Sequence, residues 1–321
     1  MMEKKKFALI GASGYIAPRH MKAITETGNE LIAALDPYDG IGIMDSHFPQ
    51  ANFFTEFEMF DSFIDRYHRE NSKKIDYIAI TTPNYLHKSH ISFALRAGCD
   101  AICEKPLVLN PSDIDDLKVI EKETGKKTNN IFQLRLHPSI IALKEKITKE
   151  LKQNPDKVYD IDLTYLTSRG KWYFVSWKGD EKKSGGIASN IGVHFYDMLC
   201  WIFGEVKENI VHLKTPDVNA GWLKLEHANV RWFLSVNYDY IPQNIKESGQ
   251  TTYRSIKVDG DEIEFSGGFR DLHTRSYEEI LKGNGFHLDE AYNSIRTVST
   301  IRNSDVIGLK GEYHPFCKKV K

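Results

Sequence analysis

The fold is decided by the stretch FALIGASGYIAPRH, residues 7–20, in which four apolar residues lead into a glycine turn and then a helical pattern. In a dinucleotide site, the first glycine lets the strand turn and the second lets the backbone approach a pyrophosphate. A small third residue lets the helix pack on the strand. Gly11, Gly14 and Ala17 fit these roles with one residue more than G-x-G-x-x-G. The same spacing also fits a tight turn without a ligand.

An acidic residue supports the dinucleotide interpretation. Asp36 ends the next apolar run, LIAALD. A carboxylate at this point binds the ribose hydroxyls of NAD and repels the 2′-phosphate of NADP. The alternative is that Asp36, which precedes Pro37, only caps a turn. Strand, glycines, helix, strand and acid in this order favour an NAD site.

The first 135 residues alternate apolar runs with helical patterns. Strands are predicted at 7–10, 31–36, 77–81, 100–106 and 131–135, and helices at 19–26, 56–70, 85–97 and 111–124. The strands lack polar alternation, as expected when helices cover both faces of a parallel sheet. We therefore predict an α/β fold that begins with a doubly wound Rossmann domain over residues 1–135.

The second half has a different pattern. Strands with alternating polarity are predicted at 158–167, 220–238 and 254–266, and helices at 139–152, 276–282 and 288–304. Asp259-Gly260 and the stretch 226–229 predict hairpin turns. Residues 136–321 are thus expected to form an α+β domain with a large, open, mainly antiparallel sheet, for substrate binding and oligomerisation.

Composition excludes several classes of protein. The net charge of −1 over 321 residues gives no reason to expect nucleic acid or an anionic membrane as partner. The four cysteines include no C-x-x-C pair, and no apolar run approaches the length of a signal-peptide core or a membrane span. A cytoplasmic protein is expected.

Polar residues follow two of the predicted strands, in TTPNYLH at 81–87 and CEKPL at 103–107. Ligands of open parallel sheets bind beyond the carboxyl ends of the strands. A desolvated lysine at such an end exchanges protons near neutral pH, which makes Lys105 a candidate for acid–base chemistry. The alternative is a solvated Glu104–Lys105 pair on a surface loop.

The run SGGIASNIGVHFYDMLCWIFG at 184–204 places Asn190, His194 and Asp197 three to four residues apart, on one side of a helix. These residues suit substrate binding, a metal site or a buried structural histidine. Metal is the weakest alternative because asparagine is a poor zinc ligand, and no metal is predicted.

Together, the glycine turn, TTPNYLH, EKP and the run G-G-x-x-x-N-x-G-x-H-x-x-D resemble the Gfo/Idh/MocA family of NAD(P)-dependent sugar and polyol oxidoreductases. The resemblance covers essentially the whole chain and implies that Lys105 contacts the reacting hydroxyl and that His194 is its acid–base partner. The implied cofactor residues are Gly11, Ser13, Gly14, Tyr15, Ile16, Ala17, Asp36, Thr82, Pro83, Asn84, His87, Glu104 and Lys105.

The stretches GASGYIAPRHMKAI, QLRLHPSI and GGIASNIGVHFYDML are similar to one subgroup, the WlbA/WbpB-type enzymes. The similarity implies oxidation of the C3 hydroxyl of UDP-N-acetylglucosaminuronic acid to a ketone, in bacterial O-antigen and related lipopolysaccharide synthesis. It also implies NAD as cofactor, homotetramers and, in some relatives, recycling of bound NADH by 2-oxoglutarate. The implied substrate residues are Lys105, Arg135, Arg169, Asn190, His194 and Arg254.

Several alternatives remain at this point. Asn190 stands where many family members have aspartate, and a neutral amide suits a substrate that carries a carboxylate. The aromatic residues Tyr165, Trp172, Tyr173 and Trp177 suit either stacking on a uracil or sugar ring or ordinary packing. A dehydrogenase of a free sugar or inositol is the rival enzyme, and a non-catalytic NAD-binding regulator is the rival from another class.

Overall fold

A computed structural model describes residues 4–39, 42–72, 74–263 and 271–320. The chain forms two compact units, Met1–Gln133 with Asp271–Tyr292, and Leu134–Arg270 with Asn293–Lys321. The first unit thus contains a segment from late in the sequence, which the division at residue 135 places in the second domain.

The elements of the first unit up to residue 130 alternate strands and helices. They are β1 (Lys6–Ile10), α1 (Ala17–Glu26), β2 (Glu30–Leu35), α2 (Gly42–His47), β3 (Asn52–Phe54), α3 (Phe57–Glu70), β4 (Tyr77–Ile80), α4 (His87–Arg96), β5 (Asp100–Cys103), α5 (Pro111–Thr124) and β6 (Thr128–Asn130). The strands form a parallel sheet in the order β3-β2-β1-β4-β5-β6. The predicted Rossmann sheet is confirmed, and its strand order reverses between β1 and β4, where ligands bind in such sheets.

One predicted strand, at 131–135, is wrong. The sixth strand is Thr128–Asn130, and Gln133–Leu136 form a 3₁₀ turn. All three residues of β6 are polar, and all three are buried. The Asn129 side chain donates to the Ala101 carbonyl (3.2 Å), and the Asn130 N–H donates to the Phe286 carbonyl (2.7 Å). A strand of buried polar residues has no apolar signal, so the sequence predicts the strand at the neighbouring apolar run instead.

The remaining elements are α6 (Pro138–Gln153), β7 (Tyr159–Thr167), α7 (Trp172–Val175), α8 (Glu181–Ser184), α9 (Val193–Phe203), β8 (Val206–Lys214), β9 (Val218–Leu225), β10 (Ala228–Ser235), α10 (Gln243–Glu247), β11 (Thr252–Val258), β12 (Asp261–Ile263), α11 (Leu272–Leu281) and α12 (Leu288–Asn303). The helix α11 and the first residues of α12 belong to the first unit. There Tyr277 and Ile280 of α11 pack into the same core as Phe7 and Met21.

The second unit is built on a six-stranded sheet in the order β12-β11-β7-β10-β9-β8. Only the pair β7–β10 is parallel, so the predicted mainly antiparallel sheet is confirmed. Asp259 and Gly260 both have positive φ, at 52° and 90°, as the predicted hairpin turn requires. Strand β8 was not predicted, and residues 264–266 of the predicted last strand lie outside the described residues.

The two faces of this sheet carry different layers. On one face, the Trp232 ring of β10 lies edge-on to Tyr196 of α9, with centroids 5.6 Å apart. On the other face, Phe233 packs with Cys317 and Phe316 from the end of the described chain. The chain itself therefore covers part of the face that the sequence predicts to be open.

Within the described part of the chain, no helix combines the length and the apolar character needed to span a bilayer.

Candidate active site

The glycine turn follows β1 directly and approaches the end of β4 closely. Gly11 has φ +96°, and a Cβ atom there would lie 2.8 Å from the backbone of both Thr81 and Thr82. The Thr81 hydroxyl donates to the carbonyls of Ile10 (3.0 Å) and Gly11 (2.9 Å). The turn is thus held where two central strands end, and it needs glycine both for its backbone angle and for this approach.

Asp36 closes the other side of the turn. Its carboxylate accepts the backbone N–H of Ser13 (2.9 Å) and that of Tyr38 (3.0 Å). It therefore has the capping role of the alternative interpretation, and its oxygens still have lone pairs for ribose hydroxyls. Helix α1 begins at Ala17 with no side-chain cap and no acidic residue in its first turn. These features fit the dinucleotide, since amides at a helix start hold phosphates.

The segment after β4 is tied to the segment after β5. The buried ring of His87 lies between the Pro106 carbonyl, 2.7 Å from Nδ1, and the Thr82 carbonyl, 2.8 Å from Nε2. Thr82 also pairs with His90 through its hydroxyl (3.0 Å), while Pro83 precedes a 3₁₀ turn that begins with the buried Asn84. His87 thus joins two strand ends, and its predicted contact with the cofactor stays a prediction.

Glu104 lies deeper than its place next to a lysine at a strand end suggests. Its carboxylate is buried and accepts hydrogen bonds from the Nε2 atoms of His20 (3.1 Å) and His273 (2.9 Å). The other oxygen accepts the backbone N–H of Lys105 (3.1 Å). Burial raises the pKa of Glu104, but the two histidine hydrogen bonds outweigh burial and hold the pKa well below its usual value. Lys105 itself is half-buried, so a loose Glu–Lys surface pair is not what forms.

In the second unit, Asn190 and His194 flank a change of helix type. Residues Ala188–Gly192 form a π-helical turn, and α9 begins at Val193. Such turns are rare in proteins, and those that occur often lie at functional sites. The Asn190 amide donates to the Tyr173 hydroxyl (3.0 Å), and His194 is half-buried in the first turn of α9.

Asp197 is occupied by an arginine. Arg135 donates from Nε to one Asp197 oxygen (2.9 Å) and from an Nη atom to the other (2.7 Å), and both side chains are buried. This is the bidentate geometry of a strong ion pair. Asp197 therefore balances an arginine charge, and the metal alternative loses one of its three residues. The prediction that Arg135 grips the substrate remains untested, but its guanidinium already has an anionic partner.

The other predicted arginines differ in their surroundings. Arg254 of β11 lies over the ring of Tyr165 on β7, with its guanidinium carbon 5.3 Å from the ring centroid. The Tyr165 ring in turn contacts Phe195, the residue after His194, with centroids 4.8 Å apart. Arg169 is exposed and donates to the neighbouring Ser168 carbonyl (3.3 Å). Arg254 is thus linked to the helix of His194 through two aromatic rings.

The predicted aromatic residues also differ in how far they are buried. Tyr173 is 1% exposed and packs inside the second unit, while Trp172 on the same short helix is 52% exposed. Trp177 lies under the Lys178 ammonium, 4.7 Å from the ring centroid. One aromatic residue of α7 therefore packs and another remains on the surface.

Comparisons with known proteins agree with this geometry. Residues 5–132 match the NAD-binding Rossmann fold of the Gfo/Idh/MocA oxidoreductase family, and residues 156–241 match its C-terminal α/β domain. The chain is 49% identical to the WlbA (WbpB) dehydrogenase of Thermus thermophilus, crystallised with NAD and UDP-GlcNAcA, with a TM-score of 0.92 over 97% of this chain and 99% of that chain. The chain belongs to the Gfo/Idh/MocA oxidoreductase family. The predictions of the family, of an oxidoreductase and of NAD as cofactor are confirmed.

More distant Gfo/Idh/MocA relatives share less. The WlbA dehydrogenase of Bordetella pertussis is 19% identical, with a TM-score of 0.75 over 94% of this chain and 95% of that chain, which shows a common fold. The D-glucoside 3-dehydrogenase of Escherichia coli (strain K12) is 26% identical over 131 residues, and the match spans 41% of this chain and 36% of that protein. The match with the 1,5-anhydro-D-fructose reductase of Ensifer adhaerens, 24% identical, spans 57% of that protein. Both matches therefore span less than two thirds of the relative's length.

Three residues near Glu104 are not predicted from the sequence: His20, His273 and Tyr277. His20 ends the opening motif and shares its helix with Ala17, which is the one signal that was available for it. His273 and Tyr277 lie in α11, far from Glu104 in sequence, and they lie near it only because α11 packs within the first unit. No spacing rule links residues so far apart.

Replacing Gly11 by alanine tests the cofactor turn of this Gfo/Idh/MocA protein. The new Cβ would meet the backbone at Thr81 and Thr82 and would occupy a positive φ. We expect a loss of about 2–5 kcal/mol in the free energy of unfolding, together with weaker NAD binding in calorimetry.

Gly98→Ala is the matched control, because Gly98 also has a positive φ, 81°, and has open space around it. It should lose about 1–2 kcal/mol and bind NAD normally. Equal effects of the two substitutions would contradict the close approach of the turn to β4.

Proposed function

We propose that the protein oxidises the C3 hydroxyl of UDP-N-acetylglucosaminuronic acid to a ketone, with NAD as the oxidant. The observation that carries the proposal is the similarity to the Thermus thermophilus WlbA dehydrogenase, which was crystallised with this nucleotide sugar. The similarity extends over nearly the full length of both chains. The matches to the family's two domains support the same activity.

The first unit supplies the cofactor site and the lysine. The turn Gly11–Gly14, the start of α1 and Asp36 would hold NAD, which accepts the hydride from C3 when bound. Lys105 follows β5, at the edge of the sheet where such ligands bind. A lysine ammonium at this position stabilises the negative charge that develops on the sugar oxygen.

The second unit supplies a histidine. His194 takes the proton that leaves the C3 hydroxyl when C3 loses its hydride, a role that imidazole performs near neutral pH. The proton and the hydride together account for the two hydrogens that the alcohol loses. The reverse assignment, with Lys105 as base and His194 as the electrostatic partner, differs in its pH dependence and is tested below.

Charged and polar groups of the second unit would recognise the acidic sugar nucleotide. Arg254 is linked to the His194 helix through Tyr165 and Phe195, and Arg169 is exposed. Arginine binds carboxylate and diphosphate through charge-assisted, bidentate hydrogen bonds. We assign these two arginines, ahead of Arg135, to the carboxylate and the diphosphate.

We further propose that 2-oxoglutarate reoxidises the NADH without release of the cofactor. A second structure of the Thermus thermophilus enzyme, 50% identical with a TM-score of 0.93, contains NAD and alpha-ketoglutarate. The 3-keto sugar would serve cytoplasmic O-antigen synthesis, and the working form would be a homotetramer.

The test is a spectrophotometric assay with purified protein and NAD. UDP-N-acetylglucosaminuronic acid should give NADH absorbance. With 2-oxoglutarate present, it should give 3-keto product and 2-hydroxyglutarate in large excess over the enzyme. Free glucose and inositol should give neither. Oxidation of inositol or a free sugar instead would replace the proposed substrate, and NAD binding without turnover of any of these compounds would favour the non-catalytic regulator.

The substitution Asn190→Asp tests the preference for an acidic substrate. Asn190 is 8% exposed and donates to Tyr173, so a carboxylate there would add a poorly solvated negative charge. Repulsion of the uronate should raise KM for UDP-N-acetylglucosaminuronic acid about tenfold or more. KM for UDP-N-acetylglucosamine, the control substrate whose sugar has no carboxylate, should not rise. Equal KM changes for the two sugars would contradict the charge argument.

A further inference from the structure

The Glu104 carboxylate is the centre of a buried group of side chains from three elements of the first unit. His20 comes from α1, Glu104 follows β5, and His273 and Tyr277 come from α11. Their side chains are almost fully buried, with Glu104 at 6% and His273 at 5% exposure. Burial of an ionised carboxylate is unfavourable unless hydrogen bonds and charges compensate it.

The hydrogen bonds fix the direction of each proton. Burial lowers the pKa of His20, against the opposing effect of Glu104, so His20 is a neutral imidazole with one N–H. That proton lies on Nε2, because Nε2 faces the acceptor Glu104 at 3.1 Å. Nδ1 of His20 then accepts from the Tyr277 hydroxyl, 2.8 Å away. Each polar atom in this chain of contacts has a partner of the right kind.

The same carboxylate holds the backbone that carries Lys105. Its Oε2 atom accepts the Lys105 N–H, and the carbonyl of the following residue, Pro106, lies 2.7 Å from Nδ1 of His87. The Glu104 N–H donates to the Ile80 carbonyl of β4 (3.0 Å). The backbone on both sides of Lys105 is thus attached to fixed side chains.

We propose that His20, His273 and Tyr277 are positioning residues, which keep Glu104 ionised and oriented and through it set the place of the Lys105 side chain. The proposal rests on the proposed function, in which Lys105 contacts the reacting hydroxyl. Displacements of about 1 Å in such a group lower rates about a hundredfold. His273 on α11 therefore acts, through Glu104, on the position of Lys105, which lies in the first half of the sequence.

A metal ion is the competing explanation of this cluster. The ligand atoms of His20, Glu104 and His273 lie within 4.8 Å of one another. Two histidines and one glutamate are also the protein ligands of some catalytic zinc sites, so the kinds of residue alone do not decide between the two explanations. Both Nε2 atoms lie at hydrogen-bond distance from one and the same carboxylate oxygen, which N–H donors explain without an ion.

The informative substitutions are at His273. His273→Leu removes one N–H donor at similar volume, whereas His273→Gln keeps a donor in its side-chain amide. We expect His273→Leu to lower kcat about 10- to 100-fold with smaller changes in KM for NAD and sugar, and His273→Gln to recover most of the loss. Tyr277→Phe, which removes only the donor to His20, should have a smaller effect in the same direction.

The pH dependence separates positioning from packing. The donors lower the Glu104 pKa, so Glu104 is ionised above that pKa and becomes neutral as the pH falls through it. Losing one donor should move this titration toward higher pH. The charged and titratable groups near Glu104 and its histidines include Lys105, the next residue in the chain, Arg19 and His20 on α1, His87 on α4, Cys103 on β5, and His273 and Tyr277 on α11.

Infrared difference spectroscopy follows the Glu104 carboxyl directly and needs no substrate, with Glu104→Gln to identify its band. His287→Leu is the matched control, because His287 bonds the Thr128 carbonyl (2.9 Å) in the same unit without contacting Glu104. It should leave the Glu104 band and its titration in place.

Unchanged titration and kcat in His273→Leu would overturn the proposal, as would stoichiometric metal whose removal by chelation abolishes activity. If wild-type protein does not oxidise the UDP-sugar, the proposed function fails, while the infrared titration still decides whether the histidines hold Glu104 ionised.

Discussion

Replacing Lys105 by methionine is expected to lower kcat about a thousandfold while NAD still binds. Methionine keeps the length and apolar stem of lysine but has no charge to stabilise the sugar oxygen. Because Lys105 follows β5 and the glycine turn follows β1, the substitution leaves Gly11, Gly14 and Asp36 in place. Steady-state kinetics with the UDP-sugar and fluorescence titration with NADH measure the two quantities.

The matching substitution in the second unit is His194→Gln, for which we expect a loss of about a hundredfold. If His194 is the base, wild-type kcat/KM falls below the pKa of its imidazole, and this acid limb disappears in His194→Gln. If Lys105 is the base, the limb disappears in Lys105→Met instead. Lys122→Met, which changes an exposed lysine of α5, is the control and should retain wild-type kinetics. Small, pH-independent losses in both site variants would contradict both roles.

Breaking the ion pair between Arg135 and Asp197 is expected to cause the largest loss of stability. Both side chains are buried, and the two hydrogen bonds are short, at 2.9 and 2.7 Å. Asp197→Leu leaves a buried guanidinium without its counter-ion, and Arg135→Leu leaves a buried carboxylate. Each should lower the free energy of unfolding by about 3–5 kcal/mol, measured by urea denaturation.

The double variant Arg135→Leu/Asp197→Leu should recover most of this loss, because an apolar pair of similar volume replaces a buried ion pair at little cost. It also decides whether Arg135 grips the substrate. If the arginine acts only in the pair, the double variant keeps KM for the UDP-sugar near the wild-type value. A large rise in KM in a stable double variant would show that Arg135 binds substrate, and failure to recover stability would contradict the ion-pair argument.

Local features of the sequence were enough to predict most of the first unit. Apolar runs mark buried strands, and Gly11, Gly14 and Ala17 mark the cofactor turn, because these patterns depend on backbone angles and periodicity within a few residues. Pro111 and Gly125 gave both ends of α5, since proline fits the first turn of a helix and glycine the left-handed residue after it. The hairpin at Asp259-Gly260 was predictable for the same local reason.

The Rossmann sheet, the cofactor turn and the two segments that carry Lys105 and His194 are therefore readable from local sequence patterns. Three features become visible only in the folded chain: Asp197 neutralises Arg135, β6 is a buried polar strand, and α11 brings His273 to Glu104. These are contacts between polar groups distant in sequence. Hydrogen bonds and ion pairs of this kind have no sequence period, and they form because buried polar groups must find partners wherever the packed chain places them.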